Sequence, residues 1–143
     1  MSAIKQITPY VFVEGNCREA MNYYKDVFGG ELNIMTVGDS PMAEKMPDMK
    51  DRILHGAIMV DGNLMLMASD TMMPGQTAEM GEGVCNTIIC SSKEEVETLF
   101  EKLSEGGKVT MPLEEAFFGW IGNLTDKFGV KWMLEFDKPE KHQ

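Results

Sequence analysis

Asn16-Cys17-Arg18-Glu19-Ala20-Met21-Asn22-Tyr23-Tyr24-Lys25-Asp26-Val27-Phe28-Gly29-Gly30 is a helix with both ends written into the chain. Asn16 is an N-cap residue, and Glu19, three positions on, is placed to return a hydrogen bond to the cap backbone. Ala20, Tyr23, Tyr24, Val27 and Phe28 recur at helical spacing, and the glycine pair accepts the left-handed backbone that ends a helix. The design then appears again. Ser92 caps, Glu95 sits three on, Val96, Leu99, Phe100 and Leu103 form an apolar stripe, and Gly106-Gly107 stop it. Asn16 to Ser92, Glu19 to Glu95, Tyr23 to Leu99 and Gly30 to Gly106 are each 76 positions apart, which makes an internal repeat.

Strand-like runs rich in β-branched and aromatic residues precede each helix, at Ile7 to Val13 and Val84 to Cys90. Three more follow each one. In the first half these are Glu31 to Val37, Ile53 to Val60 and Leu64 to Ala68, with Asp61-Gly62-Asn63 as a hairpin turn. In the second half they are Lys108 to Met111, Ala116 to Asn123 and Val130 to Phe136, with Asp126-Lys127-Phe128-Gly129 as the turn. The plan is βαβββ twice, an α+β chain in which one helix covers one face of a mixed sheet. The other face is left to curve around a cavity, so the expected ligand site is a pocket between the halves.

This predicts one domain over 1–143, with a first module at 5–69, a linker at 70–83, a second module at 84–137 and a tail at 138–143. The segment Asp39 to Asp51, bearing Met42, Met46 and Met49, reads as an excursion between strands. Asp70 to Gly83, containing Met72-Met73-Pro74-Gly75 and the glycines around Glu82, reads as the linker; either could serve as a lid or as a plain connection.

The composition narrows the class of function. A hydrophobic fraction of 43% with 25% charged residues is that of a folded globular chain. No apolar run approaches the ~20 residues of a membrane span, and the N-terminus has neither the basic start nor the apolar stretch of a secretory signal. A cytoplasmic protein without membrane partners is expected. The net charge of -10 repels phosphate backbones, which argues against nucleic acid as a partner. Cys17, Cys85 and Cys90 lack metal-like spacing and read as reduced thiols. The fourteen methionines suit either an adaptable pocket lining or ordinary core filling.

Ile7-Thr8-Pro9-Tyr10-Val11-Phe12-Val13-Glu14-Gly15-Asn16-Cys17, running into Ala20 and Tyr23-Tyr24, begins a pattern that continues through His55, Gly62 and Ser69-Asp70. It ends with Trp120 and with Thr125-Asp126-Lys127-Phe128-Gly129-Val130-Lys131-Trp132-Met133. Over nearly its whole length the chain resembles the PhnB-like branch of the vicinal oxygen chelate superfamily, which includes glyoxalase, extradiol dioxygenases and bleomycin or fosfomycin resistance proteins. The resemblance implies the glyoxalase/bleomycin resistance fold, two βαβββ modules forming a curved mixed sheet around a cup, and a homodimer.

Metal-dependent members of the superfamily hold a divalent ion with His, Gln or Glu from the first and last strands of each module. Carried over residue by residue, those positions fall on Pro9, Cys85, Met133 and the neighbourhood of Leu66. Proline and leucine cannot ligate, methionine favours soft metals, and one thiolate is a weak site. Neither the family metal nor any other cofactor is therefore expected. A strand slip of one residue would bring different side chains to the cup, with Asn86 replacing Cys85 and Glu135 lying two beyond Met133 on the same face. His55 is the one histidine outside the tail that carries His142, and it reads as either a pocket imidazole or a structural one. Phe118 and Trp120, with Phe117, are aromatic candidates for walls or core. The ligand-binding candidates are thus Cys85, His55, Phe118, Trp120, Met133 and Glu135.

Three classes of function remain open. The preferred one is a metal-independent protein that binds a small, partly apolar molecule. Its charge would admit a cationic ligand, as in the superfamily's sequestering resistance proteins. The second is a metal-assisted lyase, isomerase or dioxygenase using displaced ligands such as His55 and Glu135. A module that binds no small molecule is a third reading. Methyl transfer from an adenosyl cofactor finds no glycine-rich strand-to-helix turn in the chain.

Overall fold

A computed structural model describes residues 5–72, 78, 81 and 83–137. Met73-Pro74-Gly75, Glu82 and the tail with His142 lie outside the described residues. The chain divides into two compact units, Met1–Ala78 and Glu79–Gln143, and the boundary falls within the 70–83 segment. Among the described residues no helix is long and apolar enough to cross a membrane.

The first unit runs β1 (Tyr10–Val13), α1 (Cys17–Phe28), β2 (Glu31–Thr36), β3 (Ile53–Val60) and β4 (Asn63–Asp70). Its sheet has the order β1-β4-β3-β2, with β1 and β4 parallel and the other pairs antiparallel. Between β2 and β3 the expected excursion contains two short 3-10 turns, Pro41–Ala43 and Pro47–Met49. Asp61 and Gly62 both have positive φ, 51° and 80°, as the tight β3–β4 hairpin turn demands. From α1, Cys17, Ala20, Met21 and Tyr24 are buried, along with Val11, Val13, Ile58, Leu66 and Ala68 of the sheet. Gly56 leaves the space that Met21 fills, since a Cβ there would lie 3.5 Å from Met21 Cε.

The second unit repeats the order as β5 (Asn86–Ile89), α2 (Lys93–Ser104), β6 (Lys108–Ala116), β7 (Gly119–Thr125) and β8 (Lys131–Asp137). The strand order β5-β8-β7-β6 mirrors the first sheet, with β5 and β8 parallel. Val96, Phe100 and Leu103 of α2 are buried with Leu124, Trp132 and Leu134. Phe100 lies over Gly122, where a Cβ would come within 2.7 Å of its ring.

Two expectations need correction. β6 does not stop at Met111 but continues through Pro112 to Ala116, with register shifts on either side of Met111. Pro112 is compatible with this because β6 is an edge strand, where no partner requires its missing N–H. Phe117 and Phe118 then form the β6–β7 turn instead of lying within a strand. The second correction concerns the helix caps. Ser92 caps α2 as expected, accepting from Glu95 N at 3.0 Å, while the Glu95 side chain accepts from Ser91 N at 3.0 Å. Asn16 makes no side-chain cap bond. The first N–H of α1, from Cys17, donates instead to Asp70 Oδ1 at 3.0 Å, and Ile53 N donates to Asp70 Oδ2 at 2.9 Å. One buried carboxylate, from the end of β4, ties the start of the helix to the start of β3.

Candidate functional site

Each sheet has a helix on one face and an open face on the other, and strand alternation decides which side chains reach the open one. In β1, Val11 and Val13 are 5% and 4% exposed on the helix side, whereas Tyr10 and Phe12 are 37% and 49% exposed on the open side. The register pairs Tyr10 with Met67, Met67 with Ala57, and Met35 with His55. These residues share the open face of the first sheet. The Tyr10 and Phe12 rings lie 4.9 Å apart, the Tyr10 and His55 rings 5.9 Å apart, and the Tyr10 hydroxyl is 3.4 Å from His55 Nδ1. Met35 and Met65 remain 47% and 49% exposed. Two aromatic rings, an imidazole and several thioethers thus line one solvent-facing surface.

Of the residues singled out in the sequence, His55 belongs to this surface. Tyr10, Phe12, Met35 and Met67 were missed there. The signal that would have found them is the pairing of alternate apolar positions across strands, which cannot be read until the register is known.

Met133 and Glu135 share the open face of the second sheet, and Cys85 lies just ahead of β5. Met133 pairs with Thr87 and Asn123, and Glu135 with Ile89 and Ile121, all on the open face. Cys85 is exposed, two positions before Thr87. Asn123 also pairs with Met111, and its Oδ1 is a buried acceptor with no hydrogen-bond partner. Trp120 does not share this face. It pairs with Phe136 on the helix side, and Lys93 Nζ at the start of α2 lies 4.8 Å from its ring centroid. Phe118 sits in the β6–β7 turn, edge-on to Phe117 at 5.2 Å.

The positions inherited from the metal-binding pattern shift as well. Pro9 is followed by Tyr10 as the open-face residue of β1, while the Pro9 carbonyl accepts from Met67 N at 3.1 Å. Leu66, 2% exposed, faces the helix side opposite Ile58, and its neighbours Met65 and Met67 face outward. The 76-residue offset places both helices and both first strands, yet Val11 and Val13 are buried while Thr87 and Ile89, at the matching positions, are exposed. The faces are inverted, because a slip of one residue in a strand with period two exchanges its sides. In neither register do imidazoles and carboxylates converge, and among the described residues no group of three or more His, Cys, Asp or Glu is positioned to hold a metal ion. The residues present do not fit a hard divalent cation.

The remaining chemistry is quiet. Burial, reinforced by the Asp70 charge, pushes the Cys17 thiol up to about 12. Burial, with Glu95 nearby, pushes Cys90 up to about 11. Both are therefore inert thiols at neutral pH, whereas Cys85 is exposed.

Two βαβββ modules with these sheets define a glyoxalase/bleomycin resistance fold protein. Residues 5–135 match the family described as 3-demethylubiquinone-9 3-methyltransferase, and the chain belongs to that family, the PhnB-like branch of the vicinal oxygen chelate superfamily. It is 31% identical to Protein YjdN of Escherichia coli (strain K12), over 96% of this chain and 99% of that protein. The crystal structure of protein PA1353 from Pseudomonas aeruginosa matches with a TM-score of 0.82 and 41% identity, covering 94% of this chain and 98% of the other. A putative 3-demethylubiquinone-9 3-methyltransferase, PhnB protein, from Bacillus cereus matches with a TM-score of 0.71 and 29% identity, over 92% of this chain and 99% of the other.

Proposed function

We propose that this chain is a binding protein for a small, partly aromatic or apolar molecule, held on the open face of the first sheet without the hard divalent metal of the superfamily. The observation that supports this reading is the outward-facing set of Tyr10, Phe12 and His55, with thioethers beside them. Apolar side chains left exposed together mark a binding surface more often than exposed single residues do. Aromatic rings supply area and orientation, and the thioethers adapt to shape. The net charge of -10 favours a neutral or cationic ligand over an anionic one. Met133 and Glu135 offer a second lining on their own sheet, with the exposed Cys85 just ahead of β5. Homodimeric assembly belongs to the same proposal and is checked by light scattering.

Methyl transfer is not part of it. β1 leads into α1 through a single glycine, Gly15, in place of a glycine-rich strand-to-helix turn, and the first helix N–H is already taken by the Asp70 carboxylate. The metal-assisted alternative draws on His55 and Glu135, each on the open face of its own sheet; metal analysis followed by zinc, manganese, nickel and iron(II) titration decides it.

A thermal-shift screen of neutral and cationic aromatic compounds tests the proposal. A bound compound raises the midpoint, and Phe12→Ala weakens its binding by about tenfold or more through loss of ring burial. Trp120→Ala, on the helix side of the other sheet, leaves the affinity unchanged. A screen without hits, or a hit indifferent to Phe12→Ala, overturns the reading.

A further inference from the structure

The methionines of the first sheet are arranged around its histidine. Met35 on β2 is the direct cross-strand partner of His55 on β3, and opposed residues of this kind have Cβ atoms about 4.5–5.5 Å apart. Met67 on β4 pairs with Ala57, two residues along from His55 on the same face. That diagonal is about 7–8 Å, within reach of long side chains. The imidazole therefore has a thioether on the strand to either side.

The hydrogen bond at the ring supplies an independent observation. The Tyr10 hydroxyl lies 3.4 Å from His55 Nδ1. In the tautomer whose Nδ1–H donates to that hydroxyl oxygen, Nε2 carries the free lone pair. Metal-bound histidines are oriented in this way, the second nitrogen donating to an outer partner. The residues paired with the two methionines, other than His55 itself, are Tyr10 and Ala57, so no carboxylate is among them. Thioether and imidazole donors without oxygen anions select soft ions. The Tyr10 and Phe12 rings beside them add aromatic faces that attract a cation.

We propose that His55 Nε2 and the sulfurs of Met35 and Met67 form a three-coordinate site for a soft monovalent metal ion, Cu(I) or its analogue Ag(I). The site lies on the same face as the proposed organic ligand but does not depend on that ligand. It is also distinct in chemistry from the hard-cation site of the superfamily, because sulfur replaces every carboxylate. No redox step is involved, since the ion is bound in the state in which it is supplied.

Silver nitrate in a non-coordinating buffer is the probe, with the full chain carrying Cys85→Ser so that the exposed thiol cannot bind silver. The expected result is uptake of one equivalent, with the Met35 and Met67 methyl resonances and the His55 ring resonances shifting together in NMR spectra. Met35→Leu and Met67→Leu keep the side-chain volume and remove the donor. Tyr10→Phe removes only the outer partner and weakens affinity by about tenfold, as outer-shell changes do, and each methionine change weakens it by more. His55→Asn abolishes stoichiometric uptake. Met42→Leu, an exposed methionine in the Pro41–Ala43 turn, changes nothing. Circular dichroism of every variant separates loss of binding from loss of fold. Absence of stoichiometric uptake by folded protein, uptake undiminished by His55→Asn, or shifts confined to other methionines overturns the proposal.

Discussion

Removing the Asp126 carboxylate is the sharpest test of how the closing hairpin is held. Asp126 is 3% exposed at the β7–β8 turn. Its Oδ1 accepts from Phe128 N at 2.8 Å and Val130 N at 3.0 Å, while Oδ2 accepts from Trp132 Nε1 at 2.8 Å. Hydrogen bonds to a charged group contribute about 1.5–3 kcal/mol each, and a buried donor left without a partner costs about 1–3 kcal/mol. Asp126→Asn can keep one oxygen for the two backbone donors and present its amide to the indole, so the Trp132 bond is lost and two N–H groups oppose each other. That substitution should cost about 2–3 kcal/mol. Asp126→Ala strands all three donors, and allowing for their shared network it should cost about 3–5 kcal/mol. Urea unfolding followed by tryptophan fluorescence measures both, and Trp132→Phe completes a double-mutant cycle. The coupling between Asp126→Asn and Trp132→Phe should be at least about 1 kcal/mol. A loss below about 0.5 kcal/mol for Asp126→Asn, the range of an ordinary surface change, would refute the assignment of this carboxylate as the anchor.

The two helix starts should respond differently to alanine. Ser92→Ala removes the acceptor for Glu95 N and should cost about 1 kcal/mol, Asn16→Ala should cost under about 0.5 kcal/mol because no cap bond is lost, and Asp70→Ala should cost about 3 kcal/mol or more by stranding the Cys17 and Ile53 N–H groups; urea midpoints rank the three. Neighbouring glycines should also separate. Gly29 has φ 80° with nothing near its missing Cβ, so Gly29→Ala should cost about 1 kcal/mol, whereas a Cβ on Gly30 would clash with the Met59 carbonyl oxygen, and Gly30→Ala should cost more than about 3 kcal/mol by thermal unfolding. Thiol titration of folded protein should label Cys85 rapidly and leave Cys17 and Cys90 until unfolding. Their folded pKa values, about 12 and about 11, lie above the unfolded value of 9.0, so the native state holds its thiol protons longer. The resulting stability is intact below pH 9 and is lost as pH rises through 9 towards 11 and 12, which denaturant midpoints at pH 8 and pH 10.5 will show.

Local chemistry made the helices legible. Their apolar stripes, glycine stops and 76-residue spacing correspond to Cys17–Phe28 and Lys93–Ser104, elements at matching positions in the two units. The Asp61-Gly62 turn was equally readable, since few other pairs accept two positive φ angles in succession. The candidate site was less so. His55 was visible by its rarity, but Trp120 drew attention as a large aromatic and then proved to lie under Lys93 on the helix side. Asn16 looked like a cap, yet Asp70, 53 positions beyond the helix's first residue, does that work.

By itself, therefore, the chain determined its repeated βαβββ plan, because helix periods, glycine stops and tight turns depend on residues a few positions apart, and its resemblance to the PhnB-like branch implied the glyoxalase fold. Only the tertiary structure decided which side of each strand faces outward, and hence that Tyr10, Phe12, Met35, His55 and Met67 meet on one surface while Leu66 and Trp120 do not. Facing depends on register, register depends on pairing between strands distant in the chain, and a difference of one residue exchanges the buried side for the open one.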